Sequence, residues 1–211
     1  MSTSLMKKLS SNNMKFILGS ASPRRRSIFE MFFPEFKIVS PDIIEVPRKN
    51  EVPEDFAKRM SLEKLEAVLS ETGYHSSMFA ASADTIIALG NTIIGKPQDL
   101  DDAIRIISSL SGRTHQVITG LTLYLQQGEE DGRFLTNHEV SFVTFKKLSE
   151  SEIRHYLSLI EYLDKSGSYA IQQHGDLIIE GISGSRSNII GFPIGLFFRM
   201  LNSLGCVELL V

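Results

Sequence analysis

The chain has 211 residues, with 22 Lys and Arg against 25 Asp and Glu, for a formal net charge of −3. That length suffices for a full hydrophobic core, in one large domain or in two lobes around a cleft, and the mild acidity excludes a protein that coats nucleic acid. A single cysteine, Cys206, excludes an internal disulfide and a cysteine-built metal site, which suits a reducing compartment with the cytosol as default.

The start, "MSTSLMKKLSSNNMK", lacks the apolar run of a signal peptide, and no stretch is apolar enough to span a bilayer. Residues 1–13 read as a mobile tail and 14–211 as the folded domain. A strand near Lys15 to Gly19 feeds into "GSASPRRRSIFE", which reads as a helix start. Ser22 is a favoured N-cap, Pro23 suits the first helical position, and Ile28, Phe29, Phe32 and Phe33 supply an apolar face. Arg24, Arg25 and Arg26 stand at the wrong pole, since a cation at a helix N-terminus is disfavoured by about 0.3 to 1 kcal/mol. An anionic ligand reverses that sign, because free N–H groups, the Ser20 and Ser22 hydroxyls and guanidinium forks together bind phosphate or carboxylate. A solvated basic patch or a sorting signal is the plainer alternative.

"FKIVSPDIIEVPR" then reads as extended. Pro53 opens a helix to about Glu71, striped by Phe56, Ala57, Met60, Ala67 and Val68. Lys64 falls within that stripe, either snorkelling to solvent or aimed into a cleft. "MFAASADTIIALGNTIIGKP" reads as a hairpin turning at Gly90 and Asn91. Asp84 interrupts its first strand, and a carboxylate placed there is paired, metal-bound or catalytic unless the strand end exposes it. Lys96 lies at the far end of the hairpin, where it approaches Asp84 across the strand pair.

"DLDDAIRIISSLSG" is a helix of ordinary polarity, acids first and Gly112 beyond its end. Two long strands, "HQVITGLTLYLQ" and "RFLTNHEVSFVTFKKL", flank the turn "QGEEDG", and Ser149 with Glu152 makes a capping box for the next helix. "YAIQQHGDLIIEGISG" reads as strand, "SRSNIIG" as a loop near the cleft, and "PIGLFFRMLNSL" as a final helix stopped by Gly205. The histidines show no metal-ligand spacing, and His115 and His174 read as surface or hydrogen-bonding residues. "GISGSRSNIIG" lacks the spacing and terminal lysine of a Walker motif. Gln172 carries an amide that pairs with a base edge or caps a turn.

Taken in order, "GSASPRR", "SLEKLEAV", "SADTIIALGNTIIGKPQD", "LSGRTHQVITGL", "LDKSGSYAIQ" and "ISGSRSNIIGFPI" resemble the successive motifs of the Maf family of nucleotide pyrophosphatases. The resemblance covers nearly the whole chain after Asn13. It implies the inosine-triphosphatase-like α/β fold: an elongated mixed sheet, flanking helices and two lobes around a substrate cleft. The implied activity is hydrolysis of nucleoside triphosphates to monophosphate and pyrophosphate.

By that resemblance Ser20, Ser22, Arg24 and Arg25 bind phosphate, Lys64 and Lys96 are cleft lysines, and Asp84 activates water. A divalent cation, Mg²⁺ or Mn²⁺, bridges Asp84 to phosphate oxygens with help from Glu45, and hard oxygen ligands suit either ion. Arg24, Thr85 and Gln172 match the group that takes dTTP and UTP rather than the sister group that takes 7-methyl-GTP. Phe192 stands where leucine is usual, and "QHGD" replaces a glycine-rich continuation. The family also suggests a homodimer, while cysteine usage, charge and the lack of an apolar span point to a cytoplasmic protein that binds no polymeric nucleic acid and no membrane. The alternatives are the 7-methyl-GTP activity and a non-catalytic regulator of cell division.

Overall fold

A computed structural model describes residues 14–128 and 131–210, so the tail expected over 1–13 lies outside them. The backbone is a mixed α/β structure built on one seven-stranded sheet in the order β2-β1-β3-β5-β6-β7, with β4 beside β3. The strands are β1 (Lys15–Gly19), β2 (Lys37–Ile38), β3 (Ser77–Leu89), β4 (Thr92–Ile94), β5 (Thr114–Gln127), β6 (Arg133–Phe145) and β7 (Ile179–Ser183). β1 runs parallel to β2 and β3, and every other pairing is antiparallel.

The helices are α1 (Pro23–Glu30), α2 (Pro53–Thr72), α3 (Leu100–Leu110), α4 (Glu150–Leu157), α5 (Gly175–Ile178), α6 (Arg186–Ile190) and α7 (Ile194–Leu204). Local chemistry sets their ends. Ser22 caps α1, Asp99 caps α3, Ser149 and Glu152 form the expected capping box, and Gly205 ends α7 in the left-handed conformation.

Side chains of β3 alternate between two faces. Phe79, Ala81 and Ala83 pack with Phe29 of α1, with Phe33 just beyond it, and with Phe197 and Leu201 of α7. Met78 and Ala80 pack on the other face against Leu65, Val68 and Leu69 of α2. Farther along, Ile86 and Ala88 meet Phe56, Ala57 and Met60 of α2, while Ile87 joins the cluster of α3 and α4. Alternation with period two therefore assigns Asp84 to the α2 face and Thr85 to the opposite one.

One edge of β3 is shared by two short strands. β1 covers it from Met78 to Ser82, and β4 covers it from Ile87 to Leu89. Between Ser82 and Ile87 that edge has no strand partner among the described residues. Since β1 is parallel to β3 and β4 antiparallel, their C-terminal ends point toward each other across this gap, beside Asp84 and Thr85. The chain leaving β1 carries Ser20 and Ser22, and the chain leaving β4 carries Lys96.

Two expectations need correction, and a third is made more definite. "YAIQQHGDLIIEGISG" is not one strand: residues 171–174 form a turn with His174 at φ 53°, then α5, and only Ile179–Ser183 pairs. The apolar residues suited a strand, but the left-handed turn at His174 redirects the chain into α5 before pairing begins. "SRSNIIG" is the short helix α6, capped by Ser185 and stopped by Gly191 at φ 111°. Of "FKIVSPDIIEVPR", only Lys37 and Ile38 enter the sheet; the rest is a strap without regular structure. Two prolines there, Pro41 and Pro47, cannot donate to a ladder.

Candidate active site

The gap in β3 opens into a cleft of about 1090 Å³, and all ten residues singled out from the sequence line it. Ser20, Ser22, Arg24 and Arg25 come from the turn into α1. Glu45 comes from the strap, Lys64 from α2, Asp84 and Thr85 from β3, Lys96 from beyond β4, and Gln172 from the turn before α5.

At the turn, the Ser22 side chain accepts from the Arg25 backbone N–H, and the Ser22 N–H donates to Ser20 Oγ at 3.2 Å. The Arg25 guanidinium donates to Gly191 O at 2.9 Å, Thr85 Oγ1 at 2.9 Å and Ser20 Oγ at 3.3 Å. All three acceptors are neutral. Burial lowers the Arg25 pKa, while the nearby Asp84 charge works against that shift. Arg25 thus ties α1, β3 and the end of α6 together, and Arg24 beside it lines the cleft. Arg26 is exposed and does not line the cleft.

Asp84 is 6% exposed in mid-strand, so the strand-end alternative is excluded. Lys64 Nζ donates to Asp84 Oδ1 at 2.5 Å and lies 2.7 Å from Glu45 Oε1. Burial works to raise the Glu45 carboxyl, but the Lys64 hydrogen bond and the charges of Lys64, Lys96 and Arg25 outweigh it and hold it below its ordinary value. Opposite Asp84 on β5 stands Gly120, where a Cβ would come 2.1 Å from the Ala57 carbonyl oxygen of α2. The missing side chain is what lets α2, with its Lys64, approach the sheet at this level.

Both Asp84 and Glu45 present oxygen to the same Nζ, so a single cation reaches both. Among the described residues no group of three or more His, Cys, Asp and Glu gathers to hold a metal. Two carboxylates with the remaining positions left to ligand oxygens is the donor set that Mg²⁺ accepts.

The opposite wall was not singled out as such from the sequence. Lys165 is 7% exposed, and its ammonium bonds the Glu161 carbonyl and Asp164 Oδ1, the latter at 2.6 Å. The Gly167 N–H donates to Gly95 O at 3.0 Å and joins this wall to the segment of Lys96. Tyr169 lines the cleft and bonds His115 Nε2 at 2.8 Å; His115 is buried and neutral, its pKa pushed down to about 4 by burial. Gln172 is exposed on the same wall. The one sequence signal for Lys165 was its place in "LDKSGSYAIQ", seven residues before Gln172.

The charged lining consists of Arg24, Arg25, Lys64, Lys96 and Lys165 against Glu45, Asp84 and Asp164, five cations to three carboxylates. A concave site of that sign in a chain of net charge −3 is suited to a polyanion.

Comparison with known proteins adds a family. The family described as Maf-like protein matches residues 15–204. A dTTP/UTP pyrophosphatase of Clostridioides difficile is 39% identical over 196 residues, covering 93% of this chain and 98% of that one. One of Akkermansia muciniphila is 37% identical over 189 residues, covering 90% of this chain and 96% of its own. Among solved structures, the Staphylococcus aureus Ham1 protein aligns over 90% of this chain and 99% of its own, at 12% identity and a TM-score of 0.48.

Proposed function

The chain belongs to the Maf family, and from that premise we propose that it hydrolyses dTTP and UTP to the nucleoside monophosphate and pyrophosphate. The observation that carries the reading to this chain's own residues is the sign of its cleft, five cations against three carboxylates.

In this reading the triphosphate lies against the N-terminus of α1, where unpaired N–H groups, the Ser20 and Ser22 hydroxyls and the Arg24 and Arg25 guanidinium groups receive its oxygens. Lys64 supplies charge from α2 and Lys96 from beyond β4. Asp84 takes the proton of the attacking water, and the cations stabilise the negative charge that builds on pyrophosphate as the anhydride bond breaks. Asp84 and Glu45 would hold a divalent cation, which would supply further neutralisation of charge on the phosphates. Lys64, bonded to both carboxylates, holds them in position.

Gln172 reads the base. Its amide offers a donor and an acceptor, the complement of the imide edge that thymine and uracil share. Arg24 contributes from the facing wall. Thr85 is engaged with Arg25 Nη2 and Thr119 Oγ1, so its part in specificity is to fix Arg25. The dTTP/UTP activity of the relatives supports this assignment over 7-methyl-GTP. No helix among the described residues is long and apolar enough to cross a membrane, and a cytoplasmic homodimer completes the proposal.

The test is pyrophosphate release with Mg²⁺ or Mn²⁺ over dTTP, UTP, 7-methyl-GTP and ATP, repeated after chelation. Turnover confined to dTTP and UTP and abolished by chelation is expected. Turnover of 7-methyl-GTP alone overturns the specificity assignment, and no turnover by folded protein overturns the enzyme reading in favour of a regulator.

A further inference from the structure

Glu45 sits on a strap without secondary structure, flanked by the exposed side chains of Ile44 (82%) and Val46 (61%), yet its carboxylate is aimed at Lys64. Something outside the strap must hold it. Arg59 lies on α2 between Phe56, over whose ring its guanidinium sits at 5.3 Å, and Lys64. Its side chain is 14% exposed, and that of Glu51, at the far end of the strap, is 10%.

The Arg59 guanidinium has five N–H donors and uses each of them. Nε and Nη2 grip Glu51 Oε1 and Oε2 at 2.6 Å each, the bidentate geometry of the strongest Arg–carboxylate pairs. Nη2 also donates to the Val46 carbonyl at 3.0 Å, one residue from Glu45. Nη1 donates to Glu63 Oε1 and Oε2 at 3.1 and 3.2 Å, and Glu63 in turn accepts from Arg48 of the strap. The Arg48 N–H donates to Glu51 Oε2 at 2.8 Å and closes the loop on itself. One guanidinium therefore fastens both the middle and the end of the strap to the helix that carries Lys64.

We propose that Arg59 is a positioning residue for the reaction, clamping the strap to α2 so that Glu45 meets Lys64 and Asp84. The proposal rests on the pyrophosphatase reading for its chemistry, and on the strap geometry alone for the clamp. A lysine at this position keeps the charge but loses the planar fork that grips Glu51 with two parallel bonds. Residues that orient a ligating carboxylate typically matter by about 10- to 100-fold in metal affinity or activity.

The test compares the unmodified chain with Arg59→Lys, Glu45→Gln and the two combined. kcat/KM for dTTP is measured at saturating Mn²⁺, Mn²⁺ binding to nucleotide-free protein is followed by the EPR signal of the free ion, and hydrogen exchange is followed over residues 43–51. Arg59→Lys is expected to lower kcat/KM and weaken Mn²⁺ binding about 10- to 100-fold. The double variant is expected to lose no more than Glu45→Gln alone, because both changes disable the same group. Strap amides are expected to exchange faster while those of α2 do not. Losses that multiply in the double variant, or unchanged strap exchange, overturn the proposal. Glu51→Gln opens the clamp from the strap side and gives the same reading if Arg59→Lys does not fold. If the unmodified chain turns over neither dTTP nor UTP, the activity reading fails, and the exchange measurement alone decides whether the clamp exists.

Discussion

Lys64 and Asp84 stand 20 positions apart in the chain and are joined by a 2.5 Å hydrogen bond from Nζ to Oδ1, at the point where β3 lacks a strand neighbour on one edge. The pair fixes a carboxylate that is only 6% exposed, with one oxygen on the Lys64 ammonium, beside the cleft.

Asp84→Asn keeps the shape and the strand but removes the proton acceptor. Turnover of dTTP is expected to fall by about 10² to 10⁴, with thermal unfolding little changed. Pyrophosphate release by the purified variant checks it, and near-normal turnover removes Asp84 from its role.

Gln172→Ala is expected to change which base is accepted more than how fast the best substrate reacts. The ratio of kcat/KM for dTTP to that for dCTP should fall by about tenfold, as expected when hydrogen bonds that pair with the base edge are lost. If every nucleotide loses rate equally, Gln172 does not read the base.

Gly120→Ala places a methyl group where the Ala57 carbonyl already lies, 2.1 Å from the new Cβ. Backbone on both sides must move, at a cost of about 1 to 3 kcal/mol in denaturant unfolding. Because the displaced helix carries Lys64, turnover should fall along with stability. An unchanged unfolding midpoint contradicts this account of how α2 reaches the sheet.

Glu51 titrates at about 2 in the folded chain, against an ordinary 4.5, chiefly because Arg59 hydrogen-bonds its carboxylate. Between those values the unfolded chain binds a proton that the folded chain does not, so the contribution is complete above pH 4.5 and is lost as pH falls toward 2. The gap in melting temperature between the unmodified chain and Glu51→Gln should be constant from pH 7 to about pH 5 and shrink below that. A gap independent of pH rules out the ion pair as its source.

Much of the site was legible because its signals are local. Ser22, Pro23 and the three arginines announce an anion-seeking helix start within five residues, since capping and helix-end charge act over a single turn. The hairpin turn is equally local: Gly90 takes φ 60° between paired residues Leu89 and Thr92. The wall bearing Gln172 was misread as strand for the same reason, because its apolar residues suit a strand and the left-handed turn at His174 is selected only by packing.

By itself, then, the sequence determined the types of chemistry present and the start of α1: an arginine turn, a carboxylate in an apolar strand, one lysine on the preceding helix, one beyond the hairpin, and an amide. Only the tertiary structure decided that they form one cleft. Asp84 and Thr85 are neighbours in sequence, yet the pleat turns one toward Lys64 of α2 and the other toward Arg25 of α1. The open edge of β3, the Arg59 clamp and the bond from Arg25 to Gly191, 166 residues away, depend on strand register and helix packing across the molecule. Such contacts leave no mark on residue spacing, because propensity and periodicity act within one element while pairing is chosen between elements.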